Sequence, residues 1–182
     1  MKLIILDRDG VINHDSDDYI KTVDEWQPIE GSLQAIAKLY ATGYRVVIAT
    51  NQSGVARGYF DIETLHAMHQ KMEQMLAQHG GKIEAVYYCP HGPDSNCKCR
   101  KPKDGMFQEI ATRYQCGLLN VPAIGDSLHD IQAARKANAT PILVRTGKGE
   151  RTLATATKKE LKGVAVYQDL AEAVDAILAE KK

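Results

Sequence analysis

Along the chain, short apolar runs rich in Ile and Val alternate with longer stretches in which apolar residues return every three or four positions. The runs KLIIL (2–6), YRVVIAT (44–50), IEAVYY (83–88), VPAIG (121–125), PILVR (141–145) and VAVY (164–167) predict strands. Between them SLQAIAKLYATG, IETLHAMHQKMEQMLAQHG, the segments near 105–115 and 128–137, and the terminal DLAEAVDAILAEKK predict helices. The strand runs are continuously apolar rather than alternating, which suits strands covered on both faces. This succession predicts an α/β fold built on a doubly wound, mainly parallel sheet. No repeat, low-complexity tract or linker interrupts the rhythm, so residues 1–182 are expected to form a single domain. Two long irregular segments remain, 13–30 and 89–104, and no large cap insertion is visible.

In such a sheet the site lies beyond the carboxyl ends of the strands. Polar clusters stand at those ends: DRDG (7–10), TNQSG (50–54), CRKP (99–102) after the third strand, and GDSLHD (125–130). Together they would bring Asp7, Asp9 and Asp126 into one pocket with the Thr50 hydroxyl and the Lys101 ammonium. Carboxylates that close repel unless a cation sits among them, and an all-oxygen donor set suits Mg²⁺. A divalent metal beside a lysine and a hydroxyl is the equipment of phosphoryl chemistry. On an extended strand end, residues i and i+2 point to one side, so Asp7 and Asp9 face the same ligand. One can attack phosphorus while the other handles the leaving group's proton. Asn51, Gln52, Ser53 and Ser127 stand beside the same strand ends and are candidates to hydrogen-bond a substrate.

Cys89, His91, Cys97 and Cys99 supply three thiolates and an imidazole, a set suited to closed tetrahedral Zn²⁺. With every position filled, this zinc is expected to be structural, stapling the inserted loop 89–99. Fixing Cys99 fixes where Arg100 and Lys101 point. Arg100 offers a planar fork for a second phosphate or a carboxylate. Asp15, Ser16, Asp17 and Asp18 could accept bonds from sugar hydroxyls. Cys116 stands apart and is expected only to fill space. His66, His69 and His79 are expected at the surface of a polar helix. GKGE at 147–150 lacks the pattern of a phosphate-cradling loop.

Charge narrows the partners. The 23 basic residues balance 23 acidic ones, which points away from a nucleic-acid or anionic-membrane surface and toward a small-molecule substrate. The apolar run at the start is too short for a signal peptide or membrane span, so a cytoplasmic, monomeric protein is expected. A receiver-type signalling module would also use a strand-end Asp, Mg²⁺, a hydroxyl and a lysine. The second aspartate of DRD separates the two, because it gives the phosphoenzyme a base that activates water. A zinc-dependent interaction module would leave the acidic pocket without a purpose.

The motifs DRDG, TNQSG, RKP and GDSLHD, in that order over most of the chain, resemble the haloacid dehalogenase-like phosphatases. The resemblance implies a Rossmann-like fold, Asp7 as the nucleophile that forms an aspartyl-phosphate, and Asp9 as general acid and then base. It implies Thr50 and Lys101 as the groups that hold the phosphoryl. It also implies Mg²⁺ bound by Asp7, the Asp9 main-chain carbonyl and Asp126, with Asp130 in support. Within that superfamily, DRDGVIN, TNQSGVARG and the cysteine loop are similar to the branch that acts on heptose bisphosphates, with the histidinol-phosphate phosphatases as neighbours sharing the loop. Membership of the first branch implies removal of the 7-phosphate from D-glycero-D-manno-heptose 1,7-bisphosphate, a step toward the lipopolysaccharide core.

Overall fold

A computed structural model describes residues 1–179. Six strands form one sheet: β1 (Lys2–Leu6), β2 (Tyr44–Asn51), β3 (Ala85–Cys89), β4 (Pro122–Gly125), β5 (Thr140–Val144) and β6 (Ala165–Tyr167). Every pairing is parallel and the order is β3-β2-β1-β4-β5-β6. Successive strands step outward from β1 to β3, and then β4 returns to the other side of β1. That reversal opens a crevice beyond the carboxyl ends of β1 and β4.

The helices are α1 (Ser32–Ala41), α2 (Ile62–Gln78), α3 (Gly105–Tyr114), α4 (Leu128–Lys136), α5 (Gly149–Thr155) and α6 (Leu170–Ala179). They cover both faces of the sheet, and alternate side chains of β1 show why its run is continuously apolar. Ile4 and Leu6 join a core with Ile36 and Leu39 of α1, Met68 and Met72 of α2 and Val174 of α6. Leu3 and Ile5 join the opposite core with Phe107 and Ile110 of α3 and Ala133 and Ala134 of α4. Cys116 packs partly buried against the second core. The predicted strands and helices all form, and residues 180–182 of the last predicted helix lie outside the described residues.

The pattern missed α5. Its sequence, GERTLAT, begins at glycine, carries two threonines and has no apolar stripe; a side chain, Thr152, ties it to the site instead, donating to the Asp126 carbonyl at 2.9 Å.

The segment 13–30 holds no assigned helix, yet it is firmly anchored. Trp26 is fully buried, and Lys71 of α2 donates to the carbonyls of Val23 and Trp26 at 2.8 and 2.7 Å. Among the described residues no helix is long and apolar enough to cross a membrane.

Candidate active site

The pairing of β1 with β4 extends one residue past Leu6, where the Asp7 N–H donates to the Ile124 carbonyl at 2.9 Å. This places Asp7 beside Asp126, the residue after β4. Each of Asp7, Asp126 and Asp130 contributes a carboxylate oxygen, and these oxygens lie within 4.8 Å of one another. Asp126 is aimed from behind: its Oδ2 accepts the Lys148 N–H at 2.7 Å, and Gly10 and Gly147 lie so close that a Cβ on either would collide with the carboxylate. Both glycines also have φ in the left-handed region, +80° and +58°.

Burial pushes the Asp7 carboxyl up to about 7, with Asp130 and Asp9 adding to the rise and Lys101 opposing it. Burial, then Asp130 and Asp7, push Asp126 up to about 8. Two carboxyls that resist ionisation around a third mark a cluster short of positive charge. A hard divalent cation would supply that charge through these oxygens, so the residues present fit Mg²⁺.

Lys101 is buried at the wall of this cluster. Its Nζ lies 3.0 Å from Asp7 Oδ1 and 2.5 Å from Asp130 Oδ1, and donates to the Ala49 carbonyl at 2.7 Å. Burial acts against the ammonium, but Asp130 and Asp7 outweigh it and hold Lys101 charged. The same ion pair keeps Asp130 ionised against its own burial. The Asp130 oxygens divide their work, since Oδ2 accepts the Ser127 N–H at 3.0 Å and the Ser127 hydroxyl at 2.5 Å, closing the first turn of α4. Ser127 therefore donates its hydroxyl to the helix cap, and it also lines the cavity.

Asp9 faces a different set of partners. Its Oδ1 takes Arg8 Nη2 at 2.8 Å and Asn13 Nδ2 at 2.8 Å, and its Oδ2 takes Gln52 Nε2 at 2.7 Å. Although burial favours the neutral acid, Arg8, Asn13 and Gln52 together lower its pKa. Its carboxylate is thus engaged by these partners and is not among the clustered oxygens of Asp7, Asp126 and Asp130. Gln52 Nε2 also donates to the Thr50 hydroxyl at 2.9 Å. Asn51 exchanges two bonds with Lys101, its Nδ2 donating to the Lys101 carbonyl and its Oδ1 accepting the Lys101 N–H, each at 3.0 Å. Asn51, Gln52 and the buried Ser53, expected to bind substrate, all line the cavity, and the side chains of the first two also bond to Lys101, Asp9 and Thr50.

The cysteine loop begins at the end of β3. Donor atoms of Cys89, His91, Cys97 and Cys99 all lie within 4.8 Å of one another. The Cys89 and Cys97 sulfurs are 3.8 Å apart, and His91 Nδ1 lies 3.5 Å from Cys89 Sγ and 3.3 Å from Cys99 Sγ. Tetrahedral zinc with bonds of about 2.3 Å spaces its sulfurs by about 3.8 Å; Cys89 and Cys97 match that spacing while Cys89 and Cys99 stand closer, at 3.1 Å, and three thiols with an imidazole, gathered at one point, are the donor set that ion takes. Burial pushes the Cys89 thiol up to about 12. At Cys97 burial acts the same way, but the Arg100 main-chain N–H and the neighbouring thiols outweigh it, bringing the thiol down to about 6. Arg100 Nη1 is itself anchored on the His91 carbonyl at 3.2 Å.

A cavity of about 400 Å³ lies over Asp7, Asp9, Asp126 and Asp130. Asp15, Ser16 and Asp17 line it, together with Arg100, Thr50 and Lys101. Asp18 does not: it is exposed, and its N–H and carbonyl are used in a turn with Ser16 Oγ and Lys21 Nζ. Asp15 and Asp17 are paired with Lys148 (3.1 Å) and Arg151 (2.9 Å), two lining cations to which the sequence pattern assigns no role. Both follow β5, and the polar residues after that strand's carboxyl end are the signal in the sequence that points to them. The other correction is His69, which is buried against Arg8 rather than exposed.

Family models match two stretches of the chain: the HAD-hydrolase-like model over residues 98–173 and the polynucleotide kinase 3 phosphatase model over residues 2–135. A D-glycero-beta-D-manno-heptose-1,7-bisphosphate 7-phosphatase of Bordetella bronchiseptica is 55% identical over 99% of both chains. One of Pseudomonas aeruginosa is 51% identical over 97% of both. The crystal structure of the D,D-heptose 1,7-bisphosphate phosphatase from B. bronchiseptica, complexed with magnesium and phosphate, superposes with a TM-score of 0.96 at 54% identity over 99% of each chain. The corresponding enzyme from Burkholderia thailandensis gives a TM-score of 0.77 at 42% identity, covering 98% of this chain and 99% of that one. On this evidence the chain belongs to the haloacid dehalogenase-like hydrolases, within the family of D-glycero-beta-D-manno-heptose-1,7-bisphosphate 7-phosphatases.

Proposed function

We propose that the protein removes the 7-phosphate of D-glycero-beta-D-manno-heptose 1,7-bisphosphate by way of an aspartyl-phosphate on Asp7. The observation that carries this reading is the placement of Asp7 between Lys101, 3.0 Å away, and the carboxylate cluster with Asp126 and Asp130. A nucleophile, a fixed cation and a metal-ready cluster meet at the base of one cavity. The relatives' names supply the sugar and the anomer.

Mg²⁺ held by Asp7, Asp126 and the Asp9 carbonyl would offset the repulsion among the carboxylates and neutralise the phosphoryl oxygens. Asp7 attacks phosphorus as the bond to the C7 oxygen breaks. Lys101 and Thr50 hold the transferring group in line. Asp9 is ionised in the free protein, and a phosphoryl dianion brought beside it raises its affinity for a proton. It gives that proton to the departing alkoxide and then takes one from the water that opens the acyl phosphate. The slender C7 end can reach the base of the cavity, whereas the ring and its anomeric phosphate stay at the mouth near Arg100. Cys89, His91, Cys97 and Cys99 would hold Zn²⁺, which would fix the segment from which Arg100 and Lys101 project.

The test is phosphorus NMR of a turnover mixture containing the protein, Mg²⁺ and the bisphosphate, with the α anomer and histidinol phosphate in parallel. Loss of the C7 resonance with the anomeric one kept is expected, fastest for the β anomer. Loss of the anomeric phosphate, or preference for histidinol phosphate, would overturn the assignment.

A further inference from the structure

Arg8 is among the largest fully buried side chains of the molecule, although it is a cation. It follows Leu6 on the face of β1 covered by α1 and α2, where an apolar side chain would fill the space at less cost. Its guanidinium grips Asp9 at three points, Nη2 at 2.8 Å and 3.0 Å from the two carboxylate oxygens and Nε at 3.2 Å from Oδ1. The same Nη2 reaches Gln52 Oε1 at 3.2 Å. Nη1 lies 3.3 Å from His69 Nε2 on α2. Arginine has no acceptor, so His69 Nε2 accepts and the ring proton sits on Nδ1.

We infer that Arg8 is a positioning residue that sets the plane of the Asp9 carboxylate and, through Gln52, the direction of the Thr50 hydroxyl, with His69 as its anchor on α2. Because Arg8 occupies Oε1 of Gln52, the amide can turn only its Nε2 toward Asp9 and Thr50, at 2.7 and 2.9 Å. One buried fork therefore orients both the group that moves the proton and a group that faces the phosphoryl. The inference rests on the reading of Asp9 as acid and base. In the first step the phosphorus–oxygen bond to the sugar breaks, the Asp7–phosphorus bond forms, and the Asp9 proton passes to the sugar oxygen. In the second, water's hydroxide joins phosphorus, the Asp7–phosphorus bond breaks, and the water proton returns to Asp9. A misaligned carboxylate slows the first step most when the leaving group is an alkoxide, which needs the proton. A nitrophenolate needs it far less.

Arg8→Lys keeps the charge and removes the fork. Rapid-quench single turnovers with Mg²⁺ are expected to show transfer from the heptose bisphosphate slowed by about 10²-fold, the size of a general-acid contribution. Transfer from 4-nitrophenyl phosphate should slow at least tenfold less, with KM for the bisphosphate changed by no more than about threefold. In an Asp9→Asn background, Arg8→Lys should cost less than about threefold more, since its partner is already lost. Should Arg8→Lys fail to give a cooperative thermal transition, His69→Gln, which leaves Arg8 in place but moves its anchor, is expected to show the same leaving-group bias. Equal slowing of both substrates, full additivity with Asp9→Asn, or wild-type rates would overturn the inference. Unimpaired turnover by Asp9→Asn alone would instead sink the reading of Asp9, and this inference with it.

Discussion

Asn51 and Lys101 clasp one another through two hydrogen bonds of 3.0 Å, side-chain amide to main chain in both directions. Asn51 ends β2 and Lys101 leaves the cysteine loop, so the clasp joins the sheet to the loop at the point where the catalytic cation departs. Asn51→Ala is expected to lower kcat about tenfold or more through loss of Lys101 alignment, with zinc content unchanged. Turnover assays beside elemental analysis check this, and wild-type kcat would contradict it.

Zinc removal should act at the same joint from the other side. The loop 90–104 contains no strand or helix among the described residues, so its shape depends on the four donors. Chelation, or Cys97→Ser, is expected to lower melting temperature and activity together, and added Mg²⁺ should not restore either. A zinc-free protein with wild-type rate and melting temperature would show that the loop holds itself.

Asp7→Asn should abolish turnover, because an amide neither attacks phosphorus nor balances a metal's charge. Asp9→Asn should slow each half-reaction by about 10² to 10⁴. Lys101→Met should cost roughly 3 kcal/mol of transition-state stabilisation. It should also lower stability, because it strips the cation from buried Asp130 and half-buried Asp7. Steady-state kinetics and thermal melts of the three variants separate these effects.

Gly10→Ala is expected to weaken Mg²⁺ activation. The new methyl group would collide with the Asp126 carboxylate, and the backbone there has φ +80°. Mg²⁺ titrations of activity should show half-activation moved to higher concentration; an unchanged curve would mean that Asp126 can shift without loss.

His69 links stability to pH. Burial and then Arg8 push its pKa down to about 3, so the folded protein keeps it neutral while the unfolded chain protonates near pH 6.5. Its contribution is therefore fully present above about pH 6.5 and is lost progressively as pH falls toward 3, at up to about 1.4 kcal/mol per pH unit. Denaturant unfolding between pH 7 and 5 should show a shallower decline for His69→Gln than for the wild type. Equal slopes would place the acid sensitivity elsewhere.

By itself the sequence determined the parallel α/β sheet and picked out the cysteine–histidine set and the acidic strand ends. Parallel strands all end on one side, so Asp7, Asp9, Thr50 and Asp126 had to stand along the same edge of the sheet, and Cys89 to Cys99 are too close in the chain to need a distant element to gather them. Only the tertiary structure decided which neighbours those groups face. Placing β4 beside β1, with β5 beyond it, brings Gly147 and Lys148 against Asp126, and no local pattern encodes strand order. His69 has the polar residues of a surface helix around it in sequence, yet α2 lies over the end of β1 and turns it onto Arg8. Arg8 in turn carries no apolar signal, and its burial makes sense only once Asp9, Gln52 and His69 are seen to meet its charge and donors. Periodicity records which face of an element leaves water, but pairings between polar groups far apart in the chain arise only when the packed elements exclude water from both at once.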